Sequence, residues 1–159
     1  MMLINFLISI LFLADRLTKW LALRAADLTQ IFDRFYTETQ IFGLRLYKNP
    51  NMIFNWQING ALLYGLIFFS LAVLLWLLIK NYQKKNIFLI FSLSLIIAGA
   101  ISNLIDRLMF GYVIDFLSFF DYSIFNLSDV YIVVGIGLIL IHEFWQGAKS
   151  RMKTNITNS

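Results

Sequence analysis

The sequence predicts an all-α integral membrane protein of four transmembrane helices, with a short strand between the first two. Three observations carry that reading. Of the 159 residues 60% are apolar and only 14% charged, against about 45–50% and about 25% in a soluble domain. Four Trp, seven Tyr and sixteen Phe exceed what the core of so small a soluble protein could hold. Two long stretches carry no charge at all, and each has the roughly 20 residues that a helix needs to cross a hydrocarbon layer about 30 Å thick.

The first span covers residues 2–23. It is apolar as far as Ala14 and then carries Asp15, Arg16 and Lys19. With neither a basic start nor a small-residue cleavage site before the charged turn, it is expected to be retained and not removed as a secretory signal. The connection that follows is too long and too patterned to be a simple tether. Asp27 to Tyr36 sets Leu28, Ile31, Phe32 and Phe35 on one helical face, and Phe42-Gly43-Leu44-Arg45-Leu46-Tyr47-Lys48 alternates with period two, as a half-buried strand on a membrane surface does. The second span, 59–79, reads NGALLYGLIFFSLAVLLWLLI, and the third, 86–105, reads NIFLIFSLSLIIAGAISNLI. The fourth, 127–145, has Asp129 near its start; residues 147–159 form a tail, and its stretch KSRMKTNITNS from Lys149 is expected to fray. There is no internal repeat, so 1–159 reads as a single membrane-embedded domain.

Basic residues give the orientation, because Lys and Arg beside spans stay on the cytoplasmic side. The link Lys80 to Lys85 carries three lysines and the tail carries Lys149, Arg151 and Lys153, with no acid in either. Both termini are therefore expected in the cytoplasm. The other two connections mix signs and hold Asp27, Asp33, Glu38, Asp106, Asp115 and Asp121, which puts them outside. The net charge of +4 does not indicate nucleic acid, since the basic residues cluster at the ends of apolar segments and not on a face. The absence of cysteine excludes a disulfide framework, a thiol nucleophile and a thiolate metal site. The lone His142, beside Glu143 in an apolar run, reads as structural, so no metal and no cofactor are expected.

A charge in a span costs about 2.5–3.5 kcal/mol on insertion scales and calls for a reason. In this orientation Asp15, Lys19, Asn103, Asp106, Arg107, Asp115, Asn126 and Asp129 all come to one depth near the outer interface. Most have a local account. Asp15 and Lys19 are spaced as an i, i+4 ion pair. Asn126 and Asp129 have the form of an N-cap and capping box. Asp106, next to Arg107 and one turn after Asn103, reads as part of a cluster sealing a helix end. Asp115, among Val113, Ile114, Phe116 and Leu117, has no such role. Asp115 and Asp129 held together at a partly dry interface could not both ionise, so one would keep its proton. That makes an acid and base pair, and peptide hydrolysis by carboxylate-activated water is the chemistry this inventory supports.

Four short motifs then match one family. Asp15-Arg16-Leu17-Thr18-Lys19 resembles D-x-x-x-K, Asn103-Leu104-Ile105-Asp106-Arg107 resembles N-x-x-D-R, Val113-Ile114-Asp115-Phe116 resembles V-x-D-F, and Phe125-Asn126-Leu127-Ser128-Asp129 resembles F-N-x-A-D. In that order on a four-span chain they resemble the signal peptidase II (lipoprotein signal peptidase) family of bacterial intramembrane aspartyl proteases. The resemblance implies that Asp115 and Asp129 are the catalytic dyad, that Asn103, Arg107 and Asn126 line the site with Asn49 and Asp106 in support, and that the strand region forms a small β cradle on the outer face. The implied substrate is a prolipoprotein whose cysteine already bears diacylglycerol, cleaved just before that cysteine. Membrane lipids would be the other partners, and a monomer is expected in the bacterial cytoplasmic membrane. Two positions depart from the pattern. Asn51 stands where the family's N-x-G-x-x-F has glycine, and Ser128 where F-N-x-A-D has alanine. Neither falls on a carboxylate, and asparagine tolerates positive φ better than other non-glycine residues.

A proton-coupled carrier or channel is the competing class. It needs titratable groups at the midplane and in the inner half, whereas the two central spans here are uncharged until their outer ends. A structural membrane scaffold would leave Asp115 unexplained.

Overall fold

The computed structural model describes residues 2–26, 42–50, 59–119 and 123–157. Its elements are α1 (Met2–Ala26), β1 (Phe42–Asn49), α2 (Gly60–Gln83), α3 (Ile87–Phe110), β2 (Val113–Phe119), β3 (Ser123–Phe125) and α4 (Leu127–Thr157). The helix suggested over Asp27 to Tyr36 and the turn at Asn51 lie outside the described residues.

Three helices, α2, α3 and α4, are long and apolar enough to cross a membrane. α1, with 25 residues, is also long enough to span at about 1.5 Å per residue. It turns Asp15 and Lys19 fully inward while Phe6, Ile10, Leu13 and Leu17 face outward, which is how a span accommodates charges. α3 forms the centre and packs against α1, α2, α4 and β2. Its span is 61% buried inside the protein, against 11% for those of α2 and α4, so those two present most of their apolar surface to lipid. α3 and α4 approach closely at Gly99, where a side-chain β-carbon would collide with the Ser128 carbonyl oxygen and lie 2.9 Å from Ile132 Cγ1.

Caps define the helix starts and stops. Asn59 Oδ1 accepts from the Ala61 N–H at 2.9 Å, and Asn86 Oδ1 from the Leu89 N–H at 3.2 Å. α3 ends on Gly111, whose φ of 79° is the left-handed conformation that terminates helices, with its N–H donating to the Arg107 carbonyl at 2.9 Å. The chain thereby reverses into β2 within two residues. The helices outlast the apolar runs that announced them: α2 continues to Gln83, α3 to Phe110 and α4 to Thr157. A helix stops where its caps are, not where the hydrocarbon ends, and residues 146–157 contain no proline to interrupt α4. The tail is thus helical through Thr157 and not frayed from Lys149.

The strand anticipated over 42–48 is β1, and it belongs to a three-stranded antiparallel sheet of order β1-β2-β3. Leu44 pairs with Leu117, but the next pair is Tyr47 with Asp115, followed by Lys48 with Ile114 and Asn49 with Val113. Between Leu44 and Tyr47 β1 therefore holds one residue more than β2, a bulge. Tyr47 and Asn49 share the face of Asp115, and simple alternation from Leu44 would have turned them away.

Candidate active site

Charged side chains from two helices meet first. Lys19 Nζ lies 3.2 Å from Asp15 Oδ2 and 2.8 Å from Asp106 Oδ2, and all three side chains are completely buried. Arg16 closes the cluster by pairing through Nη1 with Asp106 Oδ1. Two acids and two bases thus balance, as buried charges must. The Ser102 hydroxyl donates to Asp15 Oδ2, the Ser128 backbone N–H to Asp15 Oδ1 at 2.8 Å, and the Ile114 N–H to Asp106 Oδ2 at 3.3 Å. One cluster therefore ties α1, α3, β2 and the start of α4 together.

The expected i, i+4 pair of Asp15 and Lys19 is present. Asp106 and Arg107, expected as partners, point about 100° apart, as consecutive residues on a helix do. Asp106 faces α1, and its partners are Arg16 and Lys19. Arg107 Nη1 donates instead to the Asn103 carbonyl at 3.3 Å, and its guanidinium feels the charges of Asp115 and Asp129 ahead of that of Asp106. Arg16 and Ser102 were not singled out from the sequence. Arg16 could have been, as a charge inside a span needs a partner; a serine in a span gives no such signal.

From Lys19 the network passes through two asparagines to two further carboxylates. Lys19 Nζ donates to Asn103 Oδ1 at 2.8 Å, and Asn103 Nδ2 donates to Asp129 Oδ1 at 2.8 Å. Asn126 Nδ2 donates to Asn103 Oδ1 at 3.2 Å and to Asp115 Oδ1 at 2.6 Å. The Asn126 backbone N–H donates to Asp129 Oδ2 at 3.2 Å, and the Asp129 N–H returns a bond to Asn126 Oδ1 at 3.1 Å. On the remaining side Asn49 Nδ2 of β1 donates to Asp115 Oδ2 at 2.9 Å. Asp115 and Asp129 are therefore bridged by a single asparagine, one carboxylate on a strand and the other in the first turn of a helix.

Burial pushes the Asp115 carboxyl up to about 6, from an ordinary value of 3.8. The bonds from Asn49 and Asn126 and the charge of Lys19 work against that rise, and the charge of Asp129 adds to it. A carboxyl of this kind can hold or release a proton near neutral pH. Among the described residues, no group of three or more His, Asp or Glu side chains could hold a metal ion.

The family model of signal peptidase (SPase) II matches residues 7–145. The chain belongs to the signal peptidase II family. It is 40% identical over 111 residues to the lipoprotein signal peptidase of Streptococcus thermophilus strain CNRZ 1066, covering 67% of this chain and 70% of that one. To the lipoprotein signal peptidase of Sinorhizobium fredii it is 39% identical over 97 residues, which span 58% of each chain. In fold it resembles a bacterial membrane enzyme solved by the in meso method at 2.3 Å resolution, with a TM-score of 0.72, 21% identity and coverage of 94% of this chain and 92% of that one. A second such enzyme, solved at 1.9 Å resolution, gives a TM-score of 0.65 at 22% identity over 89% of this chain and 92% of that one. At that identity the structural likeness concerns the fold alone. Signal peptidase II is an aspartic intramembrane peptidase family, so peptidase and not proton-coupled carrier or scaffold is the class of this multi-pass bacterial membrane protein. The residues of the four motifs read in the sequence fall together here: Asp15 and Lys19 in the ionic cluster, Asn103 and Asn126 in the amide chain, Asp115 and Asp129 at its two ends. Asn51 lies outside the described residues. Ser128 is fully buried, and its hydroxyl has no hydrogen-bond partner among them.

Proposed function

We propose that this signal peptidase II family member removes the signal peptide from diacylglyceryl-modified prolipoproteins just before the lipidated cysteine, with Asp115 and Asp129 as its catalytic dyad. The observation that carries the reading is the bridge made by Asn126, which binds Asp115 through its amide and Asp129 through its backbone. Two carboxylates spanned by one asparagine can share a proton and flank one water. The ionised member takes a proton from that water as its oxygen bonds to the scissile carbonyl carbon. The protonated member gives its proton to the amide nitrogen as the C–N bond breaks. Asp115, whose burial favours the neutral form, is assigned the proton, and Asp129, in the first turn of α4 where the helix N-terminus favours negative charge, is assigned the base. Asn49, Asn103 and Asn126 keep the carboxylates in place, Arg107 offers positive charge beside them for substrate or developing negative charge, and Asp106 anchors β2 through the Ile114 N–H.

The same reading makes 1–159 one domain working as a monomer, with both termini in the cytoplasm and the site near the outer face. Its support is the basic link at 80–85 and the basic tail, together with the clustering of the site at the opposite ends of the helices. The test is cleavage by purified protein in detergent. A diacylglyceryl-modified prolipoprotein should be cut and the same chain without its lipid should not. Equal cleavage of both would overturn the substrate class.

A further inference from the structure

Lys19 is completely buried, so it touches no substrate, yet it stands one hydrogen bond away from a chain of amides ending on both carboxylates. We infer that Lys19 is a positioning residue that fixes which way the Asn103 amide points, and through it the hydrogen bond that Asp129 receives. The inference rests on the dyad reading above.

An asparagine amide has an oxygen end that accepts and a nitrogen end that donates, and rotation by half a turn exchanges them. Here the choice is forced at both ends of the chain by groups that can only donate. The Asp129 backbone N–H requires Asn126 to present its oxygen, at 3.1 Å, which leaves Asn126 Nδ2 to face Asp115 and Asn103. The Lys19 ammonium requires Asn103 to present its oxygen, at 2.8 Å, which turns Asn103 Nδ2 onto Asp129. Every carboxylate oxygen of the pair consequently meets a donor and none meets an amide oxygen. The three protons of Lys19 are fully used, on Asp15, Asp106 and Asn103. Without the ammonium, the acceptors Asp15 Oδ2 and Asp106 Oδ2 would be left on that side of Asn103. They would draw its nitrogen toward themselves, with the longer bond from Asn126 Nδ2 at 3.2 Å opposing that turn, and set its oxygen against Asp129, a repulsive arrangement for a base that must stay ionised.

The test is a double-mutant cycle on the purified enzyme in detergent, reading kcat, KM and melting temperature with the lipid-modified prolipoprotein. Lys19→Met should lower kcat by about tenfold or more, as loss of an oriented donor at a reacting group does, with KM little changed. In the Asn103→Leu background, where there is no amide left to orient, Lys19→Met should cost almost no further kcat although melting temperature still falls. Losses in kcat that multiply, or a Lys19→Met enzyme with normal kcat, overturn the positioning role. If Lys19→Met does not fold, the cycle runs with Lys19→Gln, whose amide nitrogen can replace the donor: a kcat that is kept, or a loss that disappears in the Asn103→Leu background, supports the role, and a loss that multiplies with that of Asn103→Leu overturns it. Asp115→Asn and Asp129→Asn, assayed alongside, separate the two readings: substantial cleavage by either sinks the dyad, whereas their inactivity with a multiplicative Lys19 cycle sinks the positioning role alone.

Discussion

Asn126 and Asp129 exchange hydrogen bonds at the start of α4, backbone N–H to Oδ2 at 3.2 Å and backbone N–H to Oδ1 at 3.1 Å. This is a capping box with asparagine and aspartate in its two positions. It uses only one oxygen of Asp129, and Oδ1 remains for Asn103. The cap and the candidate base are thus one group, and the helix start holds the carboxylate's position.

Replacing Asp115 or Asp129 by Asn keeps shape and removes proton exchange, so cleavage should fall by about 10³-fold with inhibitor or substrate binding retained. Because the two act as a unit, the double variant should be little worse than either single. Asp106→Asn should behave differently, since it leaves Lys19 and Arg16 short of an anion. A stability loss of about 3 kcal/mol is expected, read as a lower melting temperature together with weaker binding. An inactive Asp106→Asn of normal stability, beside an active Asp115→Asn, would move the dyad.

The pH dependence follows from Asp115. If its protonated form gives the proton to the leaving amine, cleavage declines as pH rises through and beyond about 6, the value to which burial pushes this carboxyl. Asn49 stabilises the ionised form by donating to it. Asn49→Ala should therefore let Asp115 keep its proton to higher pH, and the alkaline limb of the rate profile should move upward. A limb that stays put or moves down contradicts the assignment of the proton.

Much of this site was legible in the sequence, and for a physical reason. Charged and amide side chains are so costly in spans that Asp15, Lys19, Asn103 and Asp129 announced themselves, and the basic links implied that their depths coincide. Partners were not legible. Asp106 looked matched to Arg107 because they are adjacent in sequence, yet the helix turn sends them to different neighbours. β2 was missed because Val113 to Phe119 is buried almost throughout, and a short apolar run beside a helix end shows no alternation to read.

Orientation can be measured directly, because the chain has no cysteine. A membrane-impermeant thiol reagent should label Glu38→Cys in intact cells and miss Gln83→Cys until the membrane is opened. The opposite pattern would reverse the topology and put the site at the inner face.

Two substitutions near α4 should have opposite outcomes. Ser128→Ala removes a buried hydroxyl with no partner among the described residues, so stability should hold or rise by about 1 kcal/mol with activity kept. Gly99→Ala pushes a methyl group into the Ser128 carbonyl. It should cost roughly 1–3 kcal/mol and lower activity as well, since Asp129 is the next residue. Melting temperatures and cleavage rates of the pair decide both.

The bulge in β1 has a consequence for how the chain tolerates changes in length. Leu44 stays opposite Leu117 and Asn49 opposite Val113, while Arg45 and Leu46 together stand against the single residue Phe116. Deleting either of them would straighten the strand without changing a pair on either side, and the bond from Asn49 to Asp115 would survive. One residue of slack is built into β1, upstream of the side chain that must reach the carboxylate. A second deletion between Leu44 and Asn49 finds no such reserve and would carry Asn49 to the far side of the sheet.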